Sequence, residues 1–140
     1  DRARIKYEVS SPGFRDLLRH SAAFRDQMEQ SVAERLILGD IDGHKRNFTL
    51  LMRNGHAKVA NIDFELAFGM LKTPPAPKIT EFANEPLSRT TLTKVEAFFQ
   101  KFDSGWGRSF LDGLGLNEAQ VAALLDRSKW FLKDRHFPIA

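Results

Sequence analysis

The chain has 140 residues, 42% of them hydrophobic, 28% charged and 12 of them Phe, which fits one domain with a single core and excludes disordered, collagen-like and low-complexity chains. Zero cysteines exclude disulfides, thiolate zinc sites and cysteine nucleophiles, while 21 basic residues scattered among 18 acidic ones, for a net +3, offer no basic block for nucleic acid. No run approaches about 18 uncharged apolar residues and no signal-peptide pattern opens the chain, so we expect a soluble, cytoplasmic protein without a transmembrane segment, secretion into another cell being compatible. The chain begins at Asp1 without Met, which suggests a processed product, an engineered form or one piece of something longer.

In chain order, Ile5, Tyr7 and Val9 alternate with Lys6 and Glu8, predicting a short strand over residues 4–9 that stops at Ser10-Ser11-Pro12-Gly13. A helix follows to about His20, with Ser11 as cap, Pro12 at its first position and Phe14, Leu17 and Leu18 on one face. Phe24, Met28, Val32, Leu36 and Ile37 recur at helical spacing between residues 22 and 38, and Gly39 stands where that helix should stop. Residues 39–47 are polar and read as a loop. Two apolar runs, 48–52 and 57–62, flank Arg53-Asn54-Gly55, and Asn-Gly between apolar runs predicts an antiparallel hairpin.

Residues 71–86, with Pro74, Pro75, Pro77 and Pro86 and no clear period, read as a long ordered or semi-ordered loop. From Ser88, a good cap, Leu92, Val95, Phe98, Phe99 and Phe102 define a helix face. Trp106, Phe110, Leu111 and Leu114 suggest a short helix broken by Gly113 and Gly115. Asn117 and Gln120 form a capping-box pattern before a last helix carrying Val121, Leu124, Leu125, Trp130, Phe131 and Leu132. No internal repeat or long heptad array is present.

Chemistry concentrates at Asp42, Asn47 and Asp63. If the two apolar runs pair, the start of the first lies beside the end of the second, so Asn47 and Asp63 emerge side by side. Two hard oxygen ligands at one point suit Mg²⁺, which is usually held by one or two protein oxygens plus phosphates and waters. Asp42, one loop-width away, can accept a proton from an attacking hydroxyl. That is the layout of a phosphoryl-transfer site.

The spacing Asp42-x-x-x-x-Asn47, a hairpin, and then Ile62-Asp63-Phe64 resembles the catalytic loop and metal-binding segment of the protein-kinase-like superfamily. Gly39-Asp40-Ile41-Asp42-Gly43-His44-Lys45-Arg46-Asn47-Phe48 is similar to the loop of HipA-like kinases. Ile62-Asp63-Phe64-Glu65-Leu66-Ala67-Phe68 resembles phosphatidylinositol kinases. The motif block covers about thirty residues of the chain. The resemblance implies an α+β fold, a mostly helical kinase-like C-lobe with a small antiparallel catalytic hairpin, in which residues 1–9 are a hinge-like strand and 10–140 the lobe.

It further implies ATP and Mg²⁺ as cofactors, Asp42 as catalytic base with His44 near the γ-phosphate, Asn47 and Asp63 as metal ligands, and Ile62 under the adenine. Glu8 and Val9 match the hinge that binds adenine through the backbone. The acceptor would be a hydroxyl-bearing protein or lipid. Two departures stand out: Glu65 replaces the Gly of conventional kinases, and no His-Arg precedes Asp42. A Gly-rich phosphate loop with its Lys and helix Glu has no counterpart here, so a missing N-lobe or partner chain is expected, and the alternative is a catalytically inactive kinase-derived binding module.

Blander readings compete for each residue. A single loop Asp is usually a turn or cap residue, and Asp40 reads as a helix-end or loop brace. A calcium loop fails on spacing, because positions one and twelve would be Leu38 and Thr49. His20, His56 and His136 lack metal-ligand spacing. The groups Phe98-Phe99-Phe102 and Trp130-Phe131 read as core rather than a stacking platform. Lys72, Lys78, Arg89 and Lys94 could face an anionic partner such as a lipid headgroup, although a solvated face explains them as well.

Overall fold

A computed structural model of the chain describes residues 3–5, 12–39, 48–53, 56–61 and 69–139. These residues are mostly helical. Strand β1 (Ala3–Ile5) precedes helices α1 (Pro12–His20) and α2 (Ala22–Ile37); strands β2 (Phe48–Arg53) and β3 (His56–Asn61) follow, and α3 (Arg89–Phe102), α4 (Gly105–Gly113) and α5 (Glu118–Asp134) complete the order. The strands form one antiparallel sheet in the order β1-β2-β3, with Ile5 opposite Leu50, Phe48 opposite Asn61 and Arg53 opposite His56. Asn54 and Gly55, expected to form the hairpin turn, Ser11, expected to cap α1, and residues 1–2 and 6–9 of the expected hinge-like strand lie outside the described residues.

Helix α2 sits centrally, packed against α1, β3, α3 and α5. Its start is fixed by Ser21, whose hydroxyl accepts from the Phe24 N–H at 3.2 Å. Phe24, Met28, Val32 and Leu36 repeat every four residues and are all buried, as a helix placed between others requires. The helix also buries Glu29 and Arg35, so its charged residues do not all face solvent.

The later helices are each started by a side-chain cap. Ser88 accepts from Thr91 N–H at 3.2 Å, Ser104 from Gly107 N–H at 3.1 Å, and Asn117 from Gln120 N–H at 2.8 Å while Gln120 returns the bond to Asn117 N–H at 2.9 Å. Helix α3 packs on α5 and α4, with Val95 buried and Leu92, Phe98, Phe99 and Phe102 half-buried against the core. Of the four apolar residues on α4 and at its C-cap Leu114, only Leu111 is buried; Trp106, Phe110 and Leu114 are exposed, and the Trp106 and Phe110 rings stack 5.5 Å apart.

Residues 69–88 are irregular yet packed. Ile79, Phe82 and Leu87 are buried, and a single 3-10 turn spans Thr80–Phe82. The segment is held by the C-terminus, which pairs with it: Asn84 N–H to Pro138 O at 3.1 Å, Phe137 N–H to Glu85 O at 2.8 Å, and Leu87 N–H to Arg135 O at 2.9 Å. Phe137 then stacks at a tilt on Phe82, 5.4 Å away, and edge-on to Phe131 at 6.0 Å. Burying each of these rings contributes about 1.5–3 kcal/mol, enough to order a stretch that has no periodic pattern of its own.

Candidate functional site

The residues expected to carry chemistry fall on two segments, 40–47 with Asp42, His44 and Asn47, and 62–68 with Ile62 and Asp63. These five, together with Glu8, Val9, Asp40, Phe64 and Glu65, lie outside the described residues. What the structure defines is where the segments begin and end. One end of each is the sheet: Phe48 follows Asn47, Asn61 precedes Ile62, and Phe48 and Asn61 are register partners. The other ends are Gly39 and Gly69.

A Cβ added to Gly69 would stand 3.7 Å from the Gly39 carbonyl oxygen, so the two backbones lie near one another. Gly39 takes φ +75°, a left-handed conformation natural after a helix end, and its N–H bonds to Leu36 O at 3.1 Å. The described residues that flank the two segments thus lie near one another, Phe48 with Asn61 on the sheet and Gly39, after α2, with Gly69.

Arg127 of α5 occupies the glycine end. It is 1% exposed, and its Nε donates to Ile37 O at 2.7 Å while Nη1 donates to Gly69 O at 2.8 Å and to Leu71 O at 2.6 Å. The guanidinium lies against Gly39, where a Cβ would be 2.8 Å from both Cζ and Nη2. Nη2 is buried and, among the described residues, has no hydrogen-bond partner. Burial lowers the pKa of Arg127 from its ordinary value, opposed by the charge of neighbouring Asp126, yet a guanidinium stays protonated in a protein. Part of the desolvation cost is offset by the Ile37 carbonyl, since the C-terminal end of α2 carries the negative pole of its dipole.

Sequence reasoning did not single out Arg127. The available signal was its position: Leu124, Ser128 and Phe131, three or four residues away or adjacent, share the buried stripe of α5, so an Arg at 127 falls on the core face. Elsewhere, the described residues contain no group of three or more His, Asp or Glu placed to hold a metal. No helix among them is long and apolar enough to cross a membrane. Lys72, Lys78, Arg89 and Lys94 are all exposed. Compared with known proteins, the chain matches no protein-family model, no curated protein and no solved structure.

Proposed function

We infer that this chain supplies the catalytic and metal-binding lobe, with its catalytic hairpin, of a Mg-ATP-dependent phosphotransferase of the atypical kinase type. The observation that carries the reading is the joint spacing of Asp42, Asn47 and Asp63 on two segments whose ends adjoin, Gly39 with Gly69 and Phe48 with Asn61. Asn47 and Asp63 would hold Mg²⁺ on the ATP phosphates; an amide oxygen and a carboxylate are the hard donors that ion takes. Asp42 would orient or deprotonate the hydroxyl of a protein or lipid acceptor, His44 would meet the γ-phosphate, and Glu8, Val9 and Ile62 would contact adenine. Catalysis of this kind is chiefly positioning and charge neutralisation. An N-lobe supplied elsewhere on a longer chain, or by a partner, and a cytoplasmic site of action belong to the same reading.

Glu65, where conventional kinases carry Gly, favours a second reading, a binding module that takes nucleotide without transferring phosphate. The test is the melting temperature of the chain and of Asp63→Ala, each with and without ATP and Mg²⁺. Saturation at about 100 times the dissociation constant adds roughly 2.7 kcal/mol, or about 5–10 °C here. A rise that needs magnesium and disappears in Asp63→Ala is the expected result. A rise of equal size in Asp63→Ala, or one indifferent to magnesium, overturns the metal assignment.

A further inference from the structure

Helix α4 leaves its largest apolar residues in solvent. Trp106, Phe110 and the C-cap Leu114 follow one another at intervals of four, so they share one stripe, and they are 59%, 46% and 60% exposed. The charges of α4, Arg108 and Asp112, stand two residues from their neighbours in that stripe and so fall on the other side of the helix. The stripe continues onto α3. The Phe110 ring lies 6.2 Å from the Phe102 ring, and Phe102 lies 4.6 Å from Phe98. A row of rings thus runs from Phe98 to Trp106, half-buried at its α3 end and exposed at its α4 end. Apolar residues exposed singly need no explanation, whereas a contiguous row does.

The rim of this row is basic. Lys94, Phe98 and Lys101 are spaced i, i+4, i+7, which puts both lysines on the Phe98 stripe of α3, and both are exposed. The Lys101 ammonium stands 5.3 Å from the centre of the Trp106 ring and 5.8 Å from that of Phe102. The neighbouring acids are engaged elsewhere: Asp103 pairs with Arg108 at 2.8 Å, and Glu96, two residues from both Lys94 and Phe98, lies across the helix and accepts from Gln100 at 3.0 Å. A surplus of positive charge beside an apolar row complements a layer of anionic headgroups over acyl chains. In such a layer Trp settles at headgroup depth, Phe and Leu reach the acyl boundary, and Lys meets phosphate. Leu114 disfavours a nucleobase stack as the occupant, because an aliphatic side chain offers no ring face.

We propose that α4 and the end of α3 dock on an anionic membrane surface, with Trp106, Phe110 and Leu114 entering the interface and Lys94 and Lys101 facing the headgroups. This is attachment to one leaflet and needs no spanning helix. It stands independently of the phosphotransferase reading.

The test titrates vesicles of phosphatidylcholine mixed with phosphatidylserine, and of phosphatidylcholine alone, into the full chain. Binding is followed by co-sedimentation and by tryptophan emission in a Trp130→Phe background, which leaves Trp106 as the sole tryptophan. The mixed vesicles should carry the chain down, shift Trp106 emission to the blue and shield it from acrylamide, and added salt should weaken the binding. Vesicles of phosphatidylcholine alone should bind about tenfold more weakly or worse. The lipid concentration at half-saturation should rise about tenfold or more for Phe110→Ser combined with Leu114→Ser, and about fivefold for Lys94→Gln or Lys101→Gln. Arg19→Gln, the same loss of charge on α1, which packs on α2, should stay within about twofold. The lysine variants leave the apolar row intact and carry the test if the double serine variant unfolds.

No sedimentation with mixed vesicles at low salt, an unshifted Trp106 in the bound chain, or Arg19→Gln weakened as much as Lys101→Gln overturns the proposal. A chain that is dimeric without lipid and monomeric in the double serine variant also overturns it, since the row is then a contact between two copies. Quenching of Trp106 by single-stranded poly(dT), with no response to vesicles, assigns the row to nucleic acid and overturns it too.

Discussion

Glu29 offers the sharpest test of how the helices are held together. It lies 2% exposed on α2, and its Oε1 accepts from the Ser88 N–H at 2.6 Å, fifty-nine residues away. Ser88 caps α3, with its hydroxyl against Thr91 N–H and Thr91 Oγ1 at 3.2 and 3.1 Å, so the carboxylate sits at the positive end of that helix. A hydrogen bond to a charged acceptor contributes about 1.5–3 kcal/mol and the dipole about 0.5–1 kcal/mol more. Glu29→Ala removes both, strands a backbone donor and opens a cavity between α2 and α3, for a loss of about 3 kcal/mol. Glu29→Gln keeps an acceptor oxygen and most of the volume but loses the charge, for about 1–1.5 kcal/mol. At roughly 3–4 °C per kcal/mol for a chain of this size, melting followed by circular dichroism should fall about 10 °C for Ala and about 4 °C for Gln. Urea titration checks that the slope is unchanged, so that the shift reports stability. An Ala variant within 2 °C of wild type, or a Gln variant as damaged as Ala, would refute the capping argument.

Two glycine substitutions extend the test to α4. A Cβ at Gly107 would collide with the Lys101 carbonyl oxygen and lie 2.5 Å from Phe102 Cα, backbone atoms that cannot swing aside, so Gly107→Ala should cost about 2–3 kcal/mol or more in urea titration and separate α4 from α3. Gly113, at the end of α4, has open space around it and no positive φ, so Gly113→Ala should stabilise by about 0.4–1 kcal/mol, whereas Gly115, equally open but at φ +88°, should lose about 1 kcal/mol on the same change. Equal effects at 113 and 115, read as melting temperatures, would remove backbone conformation as the cause.

The helices were legible because their signals are local. Pro12, the spacing of Phe24, Met28, Val32 and Leu36, the cap at Ser88 and the reciprocal pair Asn117 and Gln120 each act within a turn or two of chain, and the elements start and stop where these residues put them. Residues 71–86 hid their order for the opposite reason. Ile79 and Phe82 are buried on an irregular backbone, and Phe137, whose ring meets Phe82, arrives some fifty residues later, so no period marks them. On α4 the periodicity grouped Trp106, Phe110, Leu111 and Leu114 without distinguishing Leu111, which meets the core, from the other three, which do not. The candidate site divides along the same line. Asp42, His44, Asn47, Ile62 and Asp63 stand out by spacing within short stretches, and that is why sequence could nominate them. Glu29 and Arg127 carry charges that a pattern assigns to solvent, and what buries them is a backbone donor 59 residues away for one and carbonyls 56 to 90 residues away for the other. A charge on an apolar stripe can thus mark a long-range polar contact, and two of the buried charges fall where a helix end has to be fixed: Glu29 at the start of α3, Arg127 at the end of α2.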